Sequence, residues 1–475
     1  MAFIKFHKFN KYFKFILLTS IFRFFNCCLL GYNFNNQTFL DVSFINFLYN
    51  RFHSTFIINI SYFKIIEFFF KYIGILFFSC FTRIYELKIT QKSARYFFKL
   101  TDSFAESQIK IGQMIKEESK KDNDIKENIL HKFKNFLLIN TSFILYVIIS
   151  LIWVTEEITM FILFDYLKDV DFWFFEMLIV IIIYSKIFLK QIYKHQKFAI
   201  ILNLLPSLLK ITCIILTLIS DEEKIYKKYY WWIFVGLLIH SSLTAIISFI
   251  ICSLKSFLDL KYITTSQLLM FYSIVGIIIS ILICIISTYI PCSEKNNDNY
   301  FINILCRVKN DNYSYFDNYK IYFNSYYDEN IYGKIIRIII IVLDSITFFL
   351  HKYFLLLSIK YTDPVHIYFY IPIYYILQKV TLVINNSIIN KECFNDTSNF
   401  KIAKYFLDIS GDIFCFIGLL IYSEIIELNF WGLNYNLKKN IEKRGINEEL
   451  YFLNIPDGKD NDDDSSDFIT SINNG

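Results

Sequence analysis

An all-α, polytopic transmembrane helix bundle of about ten spans is the fold class this sequence predicts, because apolar runs long enough to cross a hydrocarbon core recur along it. Two bulk properties agree with that pattern. The 475 residues are 55% hydrophobic and 19% charged, with 53 Phe. Mean hydropathy is +0.41, which is more apolar surface than a water-soluble fold of this size normally carries. Only 12 Gly and 5 Pro stand against abundant Ile, Phe, Tyr, Asn and Lys. That bias reflects an AT-rich coding genome, so Lys and Asn tracts carry reduced functional weight.

Each span needs roughly 20 mainly apolar residues in helical form, since lipid offers no partner to a free backbone group. The expected spans are 15–31, 65–81, 136–154, 173–189, 198–219, 231–253, 268–290, 335–357, 365–384 and 405–426. The second is interrupted by Glu67 and Lys71, which stand four residues apart and can pair on one helical face; the alternative is an interfacial helix. The stretch Lys5 to Lys14 ahead of the first run also fits the n-region of a signal peptide.

Orientation follows from the loops, because Lys and Arg resist translocation. An inside N-terminus places roughly 27 Lys and Arg in cytoplasmic segments against roughly 13 outside. Both termini are then cytoplasmic, in a plasma membrane or endomembrane. The chain divides into 1–81 (the first two spans and an outer loop), 82–135 (a charged cytoplasmic helical segment), 136–290 (spans three to seven), 291–334 (an outer loop), 335–426 (spans eight to ten) and 427–475 (a basic-to-acidic cytoplasmic tail). Glycosylation sequons at Asn36, Asn312 and Asn395 fall on the outer side. Cys292 and Cys306 share the long outer loop and are expected to pair in an oxidising lumen, the alternative being two unrelated thiols.

Net charge is +5, and no Arg-rich or aromatic-interleaved basic groove is present, which argues against nucleic acid as a partner. The ten cysteines form no CxxC pair and no His-Cys cluster of zinc-finger spacing. No GxSxG, HExxH, Walker A or GxGxxG motif occurs in a suitable context. No cofactor is implied, and an enzyme is the least favoured class.

Ionisable groups deep in a span are costly and usually face a cavity, a partner or a path. Asn203, Ser207, Lys210 and Thr217 share one face of the fifth span beside Pro206; Asp344, Thr347 and His351 share one face of the eighth; Asp408 and Asp412 flank Ser410-Gly411 in the tenth. At about 1.5 Å per residue, Lys210, His240, Asp344 and Asp412 all fall roughly 12 to 14 Å below the expected outer boundary. They are candidates, with Asn203, for a shared solute or ion site; structural ion pairs between helices are the alternative. Ser241, Thr244, Ser248 and Cys252 in the sixth span, and Ser273, Gly276, Ser280 and Cys284 in the seventh, form small-residue faces suited to close helix packing.

The chain ends with TDPVHIYFYIPIYY at 362–375, YFLDISGDIF at 405–414 and YSEIIELNFWGLNYNLKKNIEKR at 422–444. These stretches resemble an uncharacterised group of fungal multi-pass membrane proteins that end in an EIIELNF-GLN-NLKKNI signature, here Glu424, Glu427, Asn429, Phe430, Gly432, Leu433, Asn434, Lys438, Lys439 and Asn440. The resemblance implies many spans and a characteristic cytoplasmic exit from the last one, with no activity attached. From the residues alone, that exit reads as a continued amphipathic stretch able to lie on anionic lipid.

The reading is a transporter-like or permeation-related membrane glycoprotein, whose partners are the bilayer and a small solute or ion. A receptor or signalling scaffold is the alternative, with a cytoplasmic protein bound at 82–135 or at the tail. A membrane-embedded lipid enzyme would have to rest on His351 and Asp344.

Overall fold

The computed structural model describes residues 4–6, 12–30, 64–89, 141–164, 173–184, 193–204, 225–259, 264–287, 331–362, 364–374 and 399–437, with a few isolated positions between them. These residues form an all-α structure apart from two three-residue strands. In chain order the elements are β1 (Ile4–Phe6), α1 (Phe13–Leu30), α2 (Lys64–Ile89), α3 (Thr141–Phe164), α4 (Trp173–Ile183), α5 (Ile225–Asp259), α6 (Thr265–Ser287), α7 (Ile331–Tyr361), α8 (Pro364–Ile367), α9 (Asn399–Tyr422) and β2 (Ile426–Leu428). Residues 194–204 are also helical.

Each of the ten expected spans overlaps helical residues. Among the described residues, three helical segments are long and apolar enough to cross a membrane: Phe68–Ile89, Thr265–Ile286 and Ile341–Tyr361. Two shorter apolar helices, Ser241–Lys255 and Ser410–Tyr422, accompany them. The stretch that sequence left open to an interfacial reading, 65–81, belongs to one of the three.

Several boundaries differ from expectation, each for a physical reason. Helix α2 runs on to Ile89, past the expected end at 81, because Arg83 and Glu86 pair at 3.2 Å one turn apart and so tolerate the helical state. Helix α3 continues ten residues past Val154, to Phe164, since the apolar run resumes after Glu156 and Glu157. In the ninth stretch the helix breaks into turns at Tyr368 and Phe369 and resumes at 370–374. Pro372 explains the break: its ring clashes with the carbonyl four residues earlier, that of Tyr368, and it brings no N–H. Tyr368 and Phe369 instead donate to the carbonyls of Val365 and His366, the shorter i−3 pattern.

Two packing centres hold the helices together. One gathers Phe68, Tyr72 and Ile75 of α2, Tyr146 and Ile149 of α3, Leu268, Leu269 and Tyr272 of α6, and Phe348 and Leu356 of α7. The other gathers Met177 and Val180 of α4, Ala199, Cys252 of α5, Phe369, and Cys415 and Leu419 of α9. Thr244, Ser248 and Cys252 on α5 are buried, as are Ser273, Gly276 and Ser280 on α6, so both small-residue faces are packing faces.

The contacts also fix relative directions. Phe15 stacks on Tyr361 and Phe22 on Phe354, so α1 and α7 are antiparallel. Lys71 meets Asp344 and Phe78 meets Phe349, so α2 and α7 are parallel. Tyr72 meets Tyr272 while Glu86 meets Ser266, so α6 opposes α2. Strand β1 pairs antiparallel with β2, Ile4 opposite Leu428, which brings the N-terminal strand to the end of the bundle where α9 stops.

Candidate functional site

Helices α2, α3, α6 and α7 converge on a buried cluster of charges. Asp344, Phe348 and Lys352 are successive four-residue steps along α7, so they share a face, with the two charges about 12 Å apart along the axis. Lys71 of α2 reaches Asp344 at 3.7 Å, and both side chains are 3% exposed. Lys352 reaches Glu157 of α3 at 2.9 Å. Tyr272 of α6 donates its hydroxyl to the other carboxylate oxygen of Glu157.

Aromatic rings fill the space between the charges. The ammonium groups of Lys71 and Lys352 both approach the ring of Phe348, at 5.0 and 5.4 Å, and Lys352 also lies 4.8 Å from the Trp153 ring. A desolvated cation over an aromatic face gains about 2 kcal/mol. Lys352 is thus held by the Glu157 carboxylate and by rings.

Small residues allow the helices to come this close. A Cβ at Gly276 would fall 2.5 Å from the Tyr72 ring, and a Cβ at Gly74 would fall 2.4 Å from Ser345 Cβ. Tyr72 can therefore lie flat on the α6 backbone, beside Tyr272 and within one turn of Lys71. The exterior of the same helices is apolar: Ile73, Phe77, Phe81 and Ile84 form an exposed stripe on α2, and Ile278, Ile281, Leu282 and Ile285 do so on α6. Charge inside and hydrocarbon outside is the reverse of a water-soluble protein.

Of the sequence-derived candidates, Asp344 lies in this cluster, with Lys71 as its partner. Asn203 and Asp412 stand on helices that contribute to the second packing centre. Asn203 is fully buried against α9, where a Cβ at Gly418 would fall 2.2 Å from its amide oxygen. Asp412 is buried on α9, one turn before Cys415. Asp344 and Asp412 therefore stand on helices assigned to different centres. His240 lies in α5, but its side chain is outside the described residues; so is all of Lys210, together with Cys292, Cys306, Asn36, Asn312 and Asn395. The side chain of Glu67 is likewise outside them, and Lys71 turns to Asp344. His351 does not join Asp344: its Nδ1 lies 3.2 Å from the Thr19 carbonyl of α1.

A second polar contact closes the end of the bundle where β1 and β2 pair. Helix α9 ends in paired hydrogen bonds, Glu424 N–H to the Ile421 carbonyl and Ile425 N–H to the Leu420 carbonyl, the Schellman arrangement. Its left-handed position, usually Gly, is Glu424 at φ 60°. The carboxylate of Glu424 lies 3.5 Å from His195 Nε2. Burial pushes the His195 pKa down to about 4, so the imidazole is neutral near pH 7. Beyond Glu424 the chain forms β2 and a series of turns through 437. The expected amphipathic continuation is therefore absent over 423–437, because buried Ile425, Ile426 and Leu428 draw the backbone into the strand pair instead.

No protein family, curated protein or solved structure matches this chain. Its function must accordingly be argued from its own residues.

Sequence reasoning missed Glu157 and Lys352. The signal for Glu157 was an acid inside an apolar run that resumes at once with Ile158; the signal for Lys352 was its spacing of eight from Asp344.

Proposed function

We propose that this chain is a polytopic membrane protein of about ten spans with both termini on the cytoplasmic side, and that it moves protons or a small ion by way of the Lys71, Asp344, Lys352 and Glu157 cluster. The observation that carries this reading is the placement of two lysines and two carboxylates in the dry interior of helices whose outer faces are hydrocarbon-like. The relative directions of α1, α2, α6 and α7 support the span count, since they alternate as a chain crossing back and forth at those stretches requires.

The chemistry follows from the pairing. Each carboxylate holds one ammonium, and Tyr272 supplies Glu157 with an O–H that can pass a proton. An entering cation or proton that neutralises Glu157 frees Lys352, whose remaining contacts are rings. The two lysines flank Phe348, so displacement of one is felt by the other through a side chain they share. Asn203 and Asp412 offer a second polar position against α9. Kinship with the fungal multi-pass group rests on the C-terminal signature residues and implies no activity.

The test is proton flux into vesicles reconstituted with the full chain, read by an internal pH dye under an imposed potassium diffusion potential. Wild-type protein is expected to raise the flux above that of protein-free vesicles, and Glu157→Gln and Asp344→Asn to reduce it by about ten-fold or more while folding is retained. Flux equal to that of protein-free vesicles, or variants as active as wild type, would overturn the assignment.

A further inference from the structure

We propose that the turn Phe430-Trp431-Gly432-Leu433 anchors the end of the bundle in the headgroup–acyl boundary of the bilayer, with Trp431 as the inserted side chain. The inference rests on the membrane reading above but not on transport.

The backbone of this turn is unusual. Trp431 and Gly432 both have positive φ, 53° and 68°, and Leu433 N–H bonds the Phe430 carbonyl at 3.0 Å. That is the arrangement of a type I′ turn, in which Asn-Gly or Gly-Gly is the usual central pair. A bulky aromatic in the left-handed region is a strained choice. The strain does not serve internal packing, since Trp431 is 80% exposed. It projects the largest side chain outward.

The turn is built to hold that projection. Leu433 and Leu437 are buried beneath it. Asn434 Nδ2 donates to Asn429 Oδ1 at 3.0 Å, and Asn440 Nδ2 donates to the Asn434 carbonyl at 2.6 Å. Tyr435, 62% exposed, accompanies Trp431 on the outer surface.

The neighbouring helix identifies what covers it. Phe430 packs edge-on against Phe198, with ring centroids 6.3 Å apart. Around Phe198 the exposed surface of this helix changes character within a turn: Lys194 and Lys197 are exposed on one side, and Ile201 (64%) and Leu204 are exposed on the other. Exposed lysines giving way to exposed aliphatics along one helix mark the level where water gives way to hydrocarbon. The Phe430–Phe198 contact fixes the turn at that level. An indole there lays its ring in the boundary and its N–H toward the headgroups, and the two lysines suit anionic lipid.

The test compares tryptophan emission of the full-length wild type and of Trp431→Phe in vesicles of anionic and zwitterionic phospholipid; the difference between them is the emission of Trp431. With lipid brominated near the top of the acyl chain, that difference emission is expected to fall by about two-fold or more and to resist aqueous iodide. Quenching by iodide but not by bromolipid, which means the indole faces water, would overturn the proposal. Protection from both quenchers would do so too, because a protein surface rather than lipid then covers it. Vesicle flotation in high salt is expected to be the same for wild type and Trp431→Phe, because the spans themselves hold a polytopic chain in the bilayer. Flotation reports membrane insertion and the flux assay reports transport, so failure of this anchor is distinguishable from failure of either.

Discussion

Lys352 Nζ stands 2.9 Å from Glu157 Oε1, joining α7 to α3 through side chains that are almost wholly withdrawn from solvent. A buried pair of this kind adds little net stability over an apolar substitute, yet breaking it strands a charge and costs about 3–5 kcal/mol. Lys352→Met is accordingly expected to lower the thermal unfolding midpoint in detergent sharply. Adding Glu157→Leu to it should recover most of the loss, because no charge is then left uncompensated. A double variant as unstable as the sum of the two single ones would show that the residues act independently.

Close approach of α6 to Tyr72 gives a steric prediction. Gly276→Ala puts a methyl group 2.5 Å from the ring carbons of a fully buried tyrosine that is wedged against Tyr272. The ring has nowhere to swing, so the substitution should cost roughly 1–3 kcal/mol. Gly432→Ala is the informative control, since its Cβ meets open space and only the positive φ is penalised, by about 1 kcal/mol. Denaturant midpoints for the two variants check both values, and Tyr72→Leu should restore part of the loss at Gly276 and none at Gly432.

The helical character and much of the packing were legible in the chain because lipid-crossing helices carry long apolar runs and small-residue faces, as α6 does with Ser273, Gly276 and Ser280. The charged cluster was only half legible. Asp344 was visible as an acid within a span, but it was grouped by depth with Lys210, whereas the ion pair it makes reaches Lys71 of another helix, a residue read only as a neighbour of Glu67. Depth along a span also grouped Asp344 with Asp412, yet depth carries no information about which helices are neighbours. The third expected span stops at 154, short of Glu157, because a charge lowers hydropathy whether it faces water or a buried lysine. The αL cap at Glu424 was hidden for a different reason: left-handed ends advertise themselves through Gly, and this one does not.

His195 supplies a pH dependence. Its ordinary value of 6.5 applies to the unfolded chain, while burial lowers the folded value to about 4. Between those values the unfolded state binds a proton that the folded state refuses, so stability is complete above pH 6.5 and declines as pH falls through the window. The loss approaches about 3 kcal/mol at its lower end, tempered by the Glu424 carboxylate, which favours the protonated ring. Unfolding midpoints measured from pH 7 to pH 4 should fall less steeply in His195→Phe than in wild type. Parallel profiles would mean that His195 is not the group responsible.

Glu424 combines a backbone penalty with a side-chain contact, and three substitutions separate them. A non-Gly residue held at φ 60° costs about 1 kcal/mol relative to Gly, so Glu424→Gly relieves strain at the α9 cap while losing the approach to His195. Glu424→Ala loses the approach and keeps the strain, and should be less stable than Glu424→Gly by about 1 kcal/mol. Glu424→Gln keeps the backbone and the size but removes the charge. It should leave stability near pH 7 almost unchanged, where His195 is neutral, and shift the acid transition to higher pH, because the folded ring has lost the carboxylate that favours its protonated form and tempers the loss in acid. Hydrogen exchange at the backbone amides of Glu424 and Ile425, which close the cap, reads the local effect directly. Faster exchange in Glu424→Gly than in Glu424→Ala would contradict the assignment of this position as a strained cap.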